Sequence, residues 1–145
     1  MVKKPFVVIG GPTACGKTNV GVLLAKAING EIISADSMQV YRYMDIGTAK
    51  PTKEEMQCVP HYLIDEIEPD EEYNVMLFQK KAKAYMHKIW KMGKVPILVG
   101  GTGFYINAVV YDADFEQTQQ NDSFRNEMYL FAEKYGAEAL YEKLK

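Results

Sequence analysis

Arginine and cysteine are scarce in this 145-residue sequence, two of each, and tryptophan occurs once. Cys15 and Cys58 stand far apart, without the paired cysteines of a metal site. That excludes a disulfide scaffold and a Cys/His zinc site, and it predicts a reducing, cytoplasmic setting. No apolar run approaches the roughly 18 residues of a membrane span, so no membrane partner is expected. The apolar run after Met1-Val2-Lys3-Lys4-Pro5 is only Phe6 to Ile9. A signal-peptide core needs about 7–15 residues. No internal repeat is visible.

What is present is an ordinary globular balance, 48% hydrophobic and 25% charged residues. A chain of this length is about one domain and buries enough surface to fold without staples. The net charge of −2 is unevenly spread. Residues 51–72 hold eight acids against one lysine, and residues 73–111 hold six lysines and no acid. A chain-wide basic footprint for nucleic acid is therefore missing. The lysines at 80, 81, 83, 88, 91 and 94 read first as a solvated helix face, with contact to RNA phosphates as the alternative.

Phe6-Val7-Val8-Ile9 reads as a buried strand that ends in Gly10-Gly11-Pro12. Val20, Leu23, Leu24, Ala27 and Ile28 follow at helical spacing, which predicts the buried face of a helix. Asn29-Gly30 stops that helix, and Glu31 to Ala35 forms a second strand. Strand, helix, strand in this order is a βαβ unit and implies a parallel sheet. His61 to Asp65 is a possible short strand. A helix capped by Asn74 then runs to about Met92, with Phe78, Ala82, Tyr85 and Ile89 on one face. Val95 to Val99 is a further strand, and Phe104 to Val110 a further helix. Beyond Asp112 the pattern is helical and acidic, with Ser123 as a cap and Gly136 as a break.

Three positions carry chemistry. Gly11-Pro12-Thr13-Ala14-Cys15-Gly16-Lys17-Thr18 fits the phosphate-loop pattern G-x-x-x-x-G-K-S/T between a strand and a helix. Such a loop turns backbone N–H groups toward phosphate oxygens, and the helix adds its positive end. Lys17 supplies a cation and Thr18 a hydroxyl for Mg²⁺. Asp36 stands at the carboxyl end of the second strand, on the crevice side of a parallel sheet. It can act as a base or metal ligand, or cap a turn. Gly100-Gly101-Thr102-Gly103 ends the later strand on the same side and allows close backbone approach.

These residues, in order with Ile33 to Arg42, Asp45 to Pro51, His61 to Asp65 and Gly100 to Tyr105, resemble the tRNA dimethylallyltransferase family. The resemblance spans essentially residues 5–145. It implies an α/β fold: a parallel-sheet, P-loop NTPase-like core over residues 1–111 and the start of a helical, tRNA-contacting insertion over 112–145. The family's C-terminal part is expected to lie beyond the last residue. Members transfer a dimethylallyl group from its diphosphate to the N6 amine of an adenosine next to the tRNA anticodon. The resemblance implies diphosphate binding by Gly11 to Thr18, with Mg²⁺ on Thr18. Catalytic roles fall to Asp36, Lys17, Thr18 and Thr102. Contacts to tRNA fall to Asp36, Ser37, Met38, Gln39, Thr102 and Arg125. A monomer is expected.

The sequence departs from the family pattern in having Cys15 for serine, Tyr43 for glycine and Tyr62 for a second histidine. Other readings are a small P-loop nucleotide kinase, a relative that prenylates free adenine nucleotide, or a non-catalytic nucleotide-binding module. Two arginines argue against the kinase, which clamps its transferring phosphoryl group with several. A non-catalytic module has no need of Asp36 and the paired glycines at separate strand ends.

Overall fold

The computed structural model describes residues 4–115 and 122–145. They fall into two compact units, Met1–Asp114 and Phe115–Lys145.

The first unit is built on a four-stranded sheet of β1 (Val7–Gly10), β2 (Gly30–Ser34), β3 (His61–Tyr62) and β4 (Val95–Gly100). Its order is β1-β4-β2-β3, and every pair is parallel. Parallel neighbours need crossovers. These are supplied by helices α1 (Lys17–Ile28), α2 (Lys53–Met56) and α3 (Val75–Lys91), while α4 (Gly103–Val110) follows β4.

Side chains alternate across the central strands, as the pleat demands. Ile32 and Ile97 pack on one face with Val22 and Ala25 of α1. Ile33 and Leu98 pack on the other with Phe78, Ala82, Met86 and Ile89 of α3 and Val109 of α4. The sheet is thus covered on both faces, which is why β4 reads as a continuous apolar run rather than an alternating one.

Three sequence expectations change in detail. The helix at 17–28 buries Gly21, Val22 and Ala25, whereas Val20 and Leu23 are 54% and 56% exposed. The helix lies so close to the sheet that a Cβ on Gly21 would stand 3.1 Å from the Val99 side chain, so its small residues face inward. The strand expected at 61–65 stops at Tyr62, because Leu63 and Asp65 adopt positive φ values of 62° and 54°. Ser123 lies inside a helix that begins at Asp122, and so is not its cap. Helix α2 was not anticipated. Thr52 and Glu55 close a capping box around its start.

Away from the crevice, Glu31 is a buried carboxylate, 2% exposed. It accepts hydrogen bonds from the Lys94 ammonium at 2.6 Å and the Tyr62 hydroxyl at 2.7 Å. Tyr62 stacks on Tyr85 at 4.5 Å and carries Lys88 over its ring.

The second unit contains α5 (Asp122–Tyr135) and α6 (Ala137–Leu144), separated by Gly136 at φ 87°. Lys143 sits over the Phe131 ring at 4.5 Å, which pins the two helices together. Arg125 is an exposed residue of α5.

Candidate functional site

β1 ends at Gly10 and α1 begins at Lys17, leaving six residues to turn the chain. Ala14 and Gly16 take the left-handed region, at φ 62° and 85°. No side chain caps the start of α1, so its first N–H groups face outward from the turn without a side-chain acceptor. This is the arrangement that binds anions at a helix start. Lys17 Nζ donates to the Pro12 carbonyl at 2.5 Å and lies 3.8 Å from Cys15 Sγ.

The β4–α4 turn is held against this loop and against the end of β2. A Cβ on Gly100 would fall 2.1 Å from the Ala35 carbonyl oxygen. Only glycine fits there. The Thr102 N–H donates to Ala35 O at 3.2 Å, and the Ser37 N–H donates to Thr102 Oγ1 at 3.2 Å. A Cβ on Gly101 would stand 3.3 Å from the Gly11 carbonyl oxygen, so the two glycine-rich turns touch.

Asp36 does two things at once. Its Oδ1 accepts the N–H groups of Met38 at 2.9 Å and Gln39 at 3.2 Å, which is the turn-capping role. Among the described residues its Oδ2 has no hydrogen-bond partner. The carboxylate is therefore oriented by one oxygen and available through the other.

A cavity of about 330 Å³ joins these parts. Thr13, Ala14, Gly16, Lys17 and Thr18 form its cationic, N–H-rich side. Ser34, Asp36 and Gln39 line it from the end of β2, and Gly100 and Gly101 from β4. Ile32, Ile64 and Val99 give it an apolar part. Of the residues singled out in the sequence, Thr13, Ala14, Gly16, Lys17, Thr18, Asp36 and Gln39 line this cavity. Gly11, Pro12 and Cys15 belong to the loop but not to the lining. Ser37, Met38 and Thr102 stand beside Asp36, with Met38 43% exposed. Arg125 belongs to the other unit.

Gln39 is engaged within the fold. Its Oε1 accepts the Ser34 hydroxyl at 3.0 Å, and its Nε2 donates to the carbonyls of Thr48 at 3.2 Å and Ala49 at 3.1 Å.

Sequence reasoning missed several lining residues: Thr48, Ala49, Pro51, Glu55 and His61. The run from Gly47 to Pro51 was a family marker without a physical role. His61 enters the sequence reading only as the first residue of the possible strand at 61–65. Its ring Nδ1 lies 2.8 Å from the Val59 carbonyl. Burial holds its pKa below the ordinary histidine value against that hydrogen bond, so the ring is neutral at pH 7. Four of the six lysines in 80–94 are tied to this chain. Lys81 pairs with Glu66, Lys83 with Asp112 and Lys94 with Glu31, and Lys88 covers Tyr62.

Comparison with known proteins gives a consistent picture. The family model described as IPP transferase matches residues 39–145. A tRNA dimethylallyltransferase of Thermoanaerobacter sp. (strain X514) is 57% identical over 140 residues, covering 97% of this chain and 44% of that protein. One from Lachnoclostridium phytofermentans is 57% identical, covering 98% of this chain and 45% of its own length. The crystal structure of the full-length tRNA isopentenylpyrophosphate transferase of Bacillus halodurans superposes with a TM-score of 0.78 at 50% identity. That match covers 98% of this chain and 47% of the other. A eukaryotic dimethylallyltransferase acting on tRNA gives 0.72 at 32% identity, over 81% of this chain and 31% of that one. The chain therefore spans less than half the length of the relatives it matches.

Proposed function

The chain belongs to the IPP transferase family, and from that membership we propose that its cavity holds dimethylallyl diphosphate and delivers the dimethylallyl group to the N6 amine of an adenosine next to the anticodon of a tRNA. The observation that carries this reading is the shared cavity of the phosphate loop and Asp36. One side suits a diphosphate, and the other offers a carboxylate with one oxygen uncommitted.

The chemistry divides between those sides. The bond between the allylic carbon and the diphosphate oxygen breaks, and charge builds on the leaving diphosphate. The loop N–H groups and Lys17 stabilise that charge. The adenine N6 amine is a weak nucleophile because its lone pair is delocalised into the ring. As the C–N bond forms, its proton passes to the Asp36 carboxylate. A positioned base of this kind contributes about 10²–10⁴-fold. Thr102 holds the Asp36–Ser37 corner in place and stands where the target nucleotide enters. Ser37 and Met38 flank that entrance, and Arg125 adds a tRNA contact from the helical unit.

Among the described residues, no group of three or more His, Cys, Asp and Glu side chains gathers to hold a metal. Mg²⁺ keeps several waters and is held by one or two protein oxygens together with substrate phosphates, and Thr18 lines the cavity beside the phosphate loop. The Thr18 hydroxyl is the protein oxygen assigned to it. When bound, Mg²⁺ neutralises diphosphate charge. Among the described residues, no helix is long and apolar enough to cross a membrane. The reading places the protein with tRNA in the cytoplasm, acting as a monomer.

The test is incubation with tRNA and radiolabelled dimethylallyl diphosphate. Label in tRNA and free diphosphate are expected, with no conversion of ATP to ADP. Phosphoryl transfer from ATP to a nucleotide, with no label in tRNA, would instead identify a kinase.

A further inference from the structure

Thr48, Ala49 and Pro51 line the cavity from an irregular segment, residues 42–51, with no ladder of its own. Ala49 sits at φ 48°, a conformation that persists only where the surroundings impose it. Two side chains supply that constraint. Gln39, rooted on the Ser34 hydroxyl of β2, donates to the Thr48 and Ala49 carbonyls. The second is Lys50. Its side chain is only 6% exposed, unusual for an ammonium group, whose burial is costly unless it is paired.

The Lys50 ammonium has three acceptors. It donates to the Tyr41 carbonyl at 2.6 Å, to Asp45 at 2.9 Å and to Asp65 at 2.6 Å. Each closes a different gap. Tyr41 marks the start of the segment, Asp45 its middle, and Asp65 follows Ile64, another lining residue. One cation thus joins both ends of the wall to the chain after β3. Burial lowers its affinity for a proton, but Asp65 and Asp45 outweigh that and keep it charged.

We propose that Lys50 is a positioning residue that sets the wall contacting the hydrocarbon part of the allylic diphosphate, independently of the phosphate loop that grips the charged part. The assignment of the hydrocarbon rests on the proposed function above. The bracing of residues 42–51 does not.

The test uses Lys50→Met, which keeps length and removes charge, and Lys50→Arg, which keeps charge. Calorimetry compares affinity for inorganic diphosphate with affinity for dimethylallyl diphosphate, and hydrogen exchange follows amides 42–51 against those of α3. In Lys50→Met, inorganic diphosphate should bind within about twofold of the parent, while dimethylallyl diphosphate weakens by about tenfold or more. Exchange should quicken in 42–51 and not in α3, and Lys50→Arg should recover most of both effects. Equal losses for the two ligands, or unchanged affinities, would overturn the proposal, as would unchanged exchange. If Lys50→Met does not fold, Asp65→Asn removes one of the three acceptors and is judged by the same criteria. Should the parent bind inorganic diphosphate but not the allylic ester, the proposed function fails, and the exchange comparison alone decides whether Lys50 braces the wall.

Discussion

The hydroxyl oxygen of Thr102 accepts the backbone N–H of Ser37 at 3.2 Å, a contact between residues 65 apart in sequence. It fastens the glycine-rich turn after β4 to the corner that carries Asp36. Thr102→Val removes the acceptor while keeping the shape. Stability should fall by about 0.5–1.5 kcal/mol, the worth of one such bond. Transfer should fall further, by about 10- to 100-fold, because small displacements of a reacting group are costly. Thr102→Ser should retain both. Denaturant unfolding and the labelled-tRNA assay measure the two effects separately.

Asp36→Asn tests the division between the two carboxylate oxygens. Asparagine still presents a carbonyl oxygen to the N–H groups of Met38 and Gln39. Thermal stability and diphosphate affinity should therefore stay close to the parent's. Transfer should drop by about 10²–10⁴-fold, since the amide does not take a proton at neutral pH. A near-normal rate would mean that Asp36 only caps its turn.

Lys17→Ala should weaken binding of dimethylallyl diphosphate and abolish most transfer. Calorimetry with a non-reactive diphosphate analogue is the direct measurement. Unchanged affinity would remove Lys17 from the cradle.

Gly100→Ala should be among the most damaging single changes in the fold. The added methyl would lie 2.1 Å from the Ala35 carbonyl oxygen, and that neighbour is backbone. Relief requires β4 and β2 to part at the crevice. Overpacking of this kind costs about 1–3 kcal/mol, or more where nothing yields. Chemical denaturation of the variant gives the figure.

Stability should also fall in acid through Glu31. Burial pushes its carboxyl up, but the hydrogen bonds from Lys94 and Tyr62 outweigh it and hold the pKa below the ordinary 4.5. Glu31 thus releases its proton more readily in the folded chain than in the unfolded one. Its contribution is complete above the unfolded value and is lost as pH falls through the folded one. Glu31→Gln should lower stability at about pH 7 and flatten the decline below about pH 4. Urea unfolding across that range checks both. At the alkaline end, burial and Glu31 push the Tyr62 hydroxyl up to about 12.

The strands, the phosphate loop and Asp36 were legible because each is a local pattern. A four-residue apolar run before a glycine-rich turn says strand without tertiary information. The inner face of α1 was not legible. Periodicity picks out the large side chains Val20 and Leu23, but close packing on the sheet selects Gly21, Val22 and Ala25. Helix α2 had a readable signal in the Thr52 and Glu55 spacing. The cavity wall at 48–51 had none, because its fixings are distant: Gln39 reaches forward ten residues to Ala49, and Lys50 reaches fifteen to Asp65.

The alternation along β2 has a consequence for how this protein tolerates insertion. Ile32, Ser34 and Asp36 all border the cavity, while Ile33 and Ala35 enter the core beneath α3 and α4. The same two-residue beat therefore sorts both apolar packing and reactive groups. Core packing acts as a vernier for the chemistry, since no slip can misalign one without the other. One extra residue in β2 would turn Asp36 to the wrong side of the sheet and drive Ser34 into apolar surroundings. Two extra residues would restore the facing but carry Asp36 about 7 Å along the strand direction, out of reach of the phosphate loop. Length variation among functional versions of this fold should consequently bypass β2.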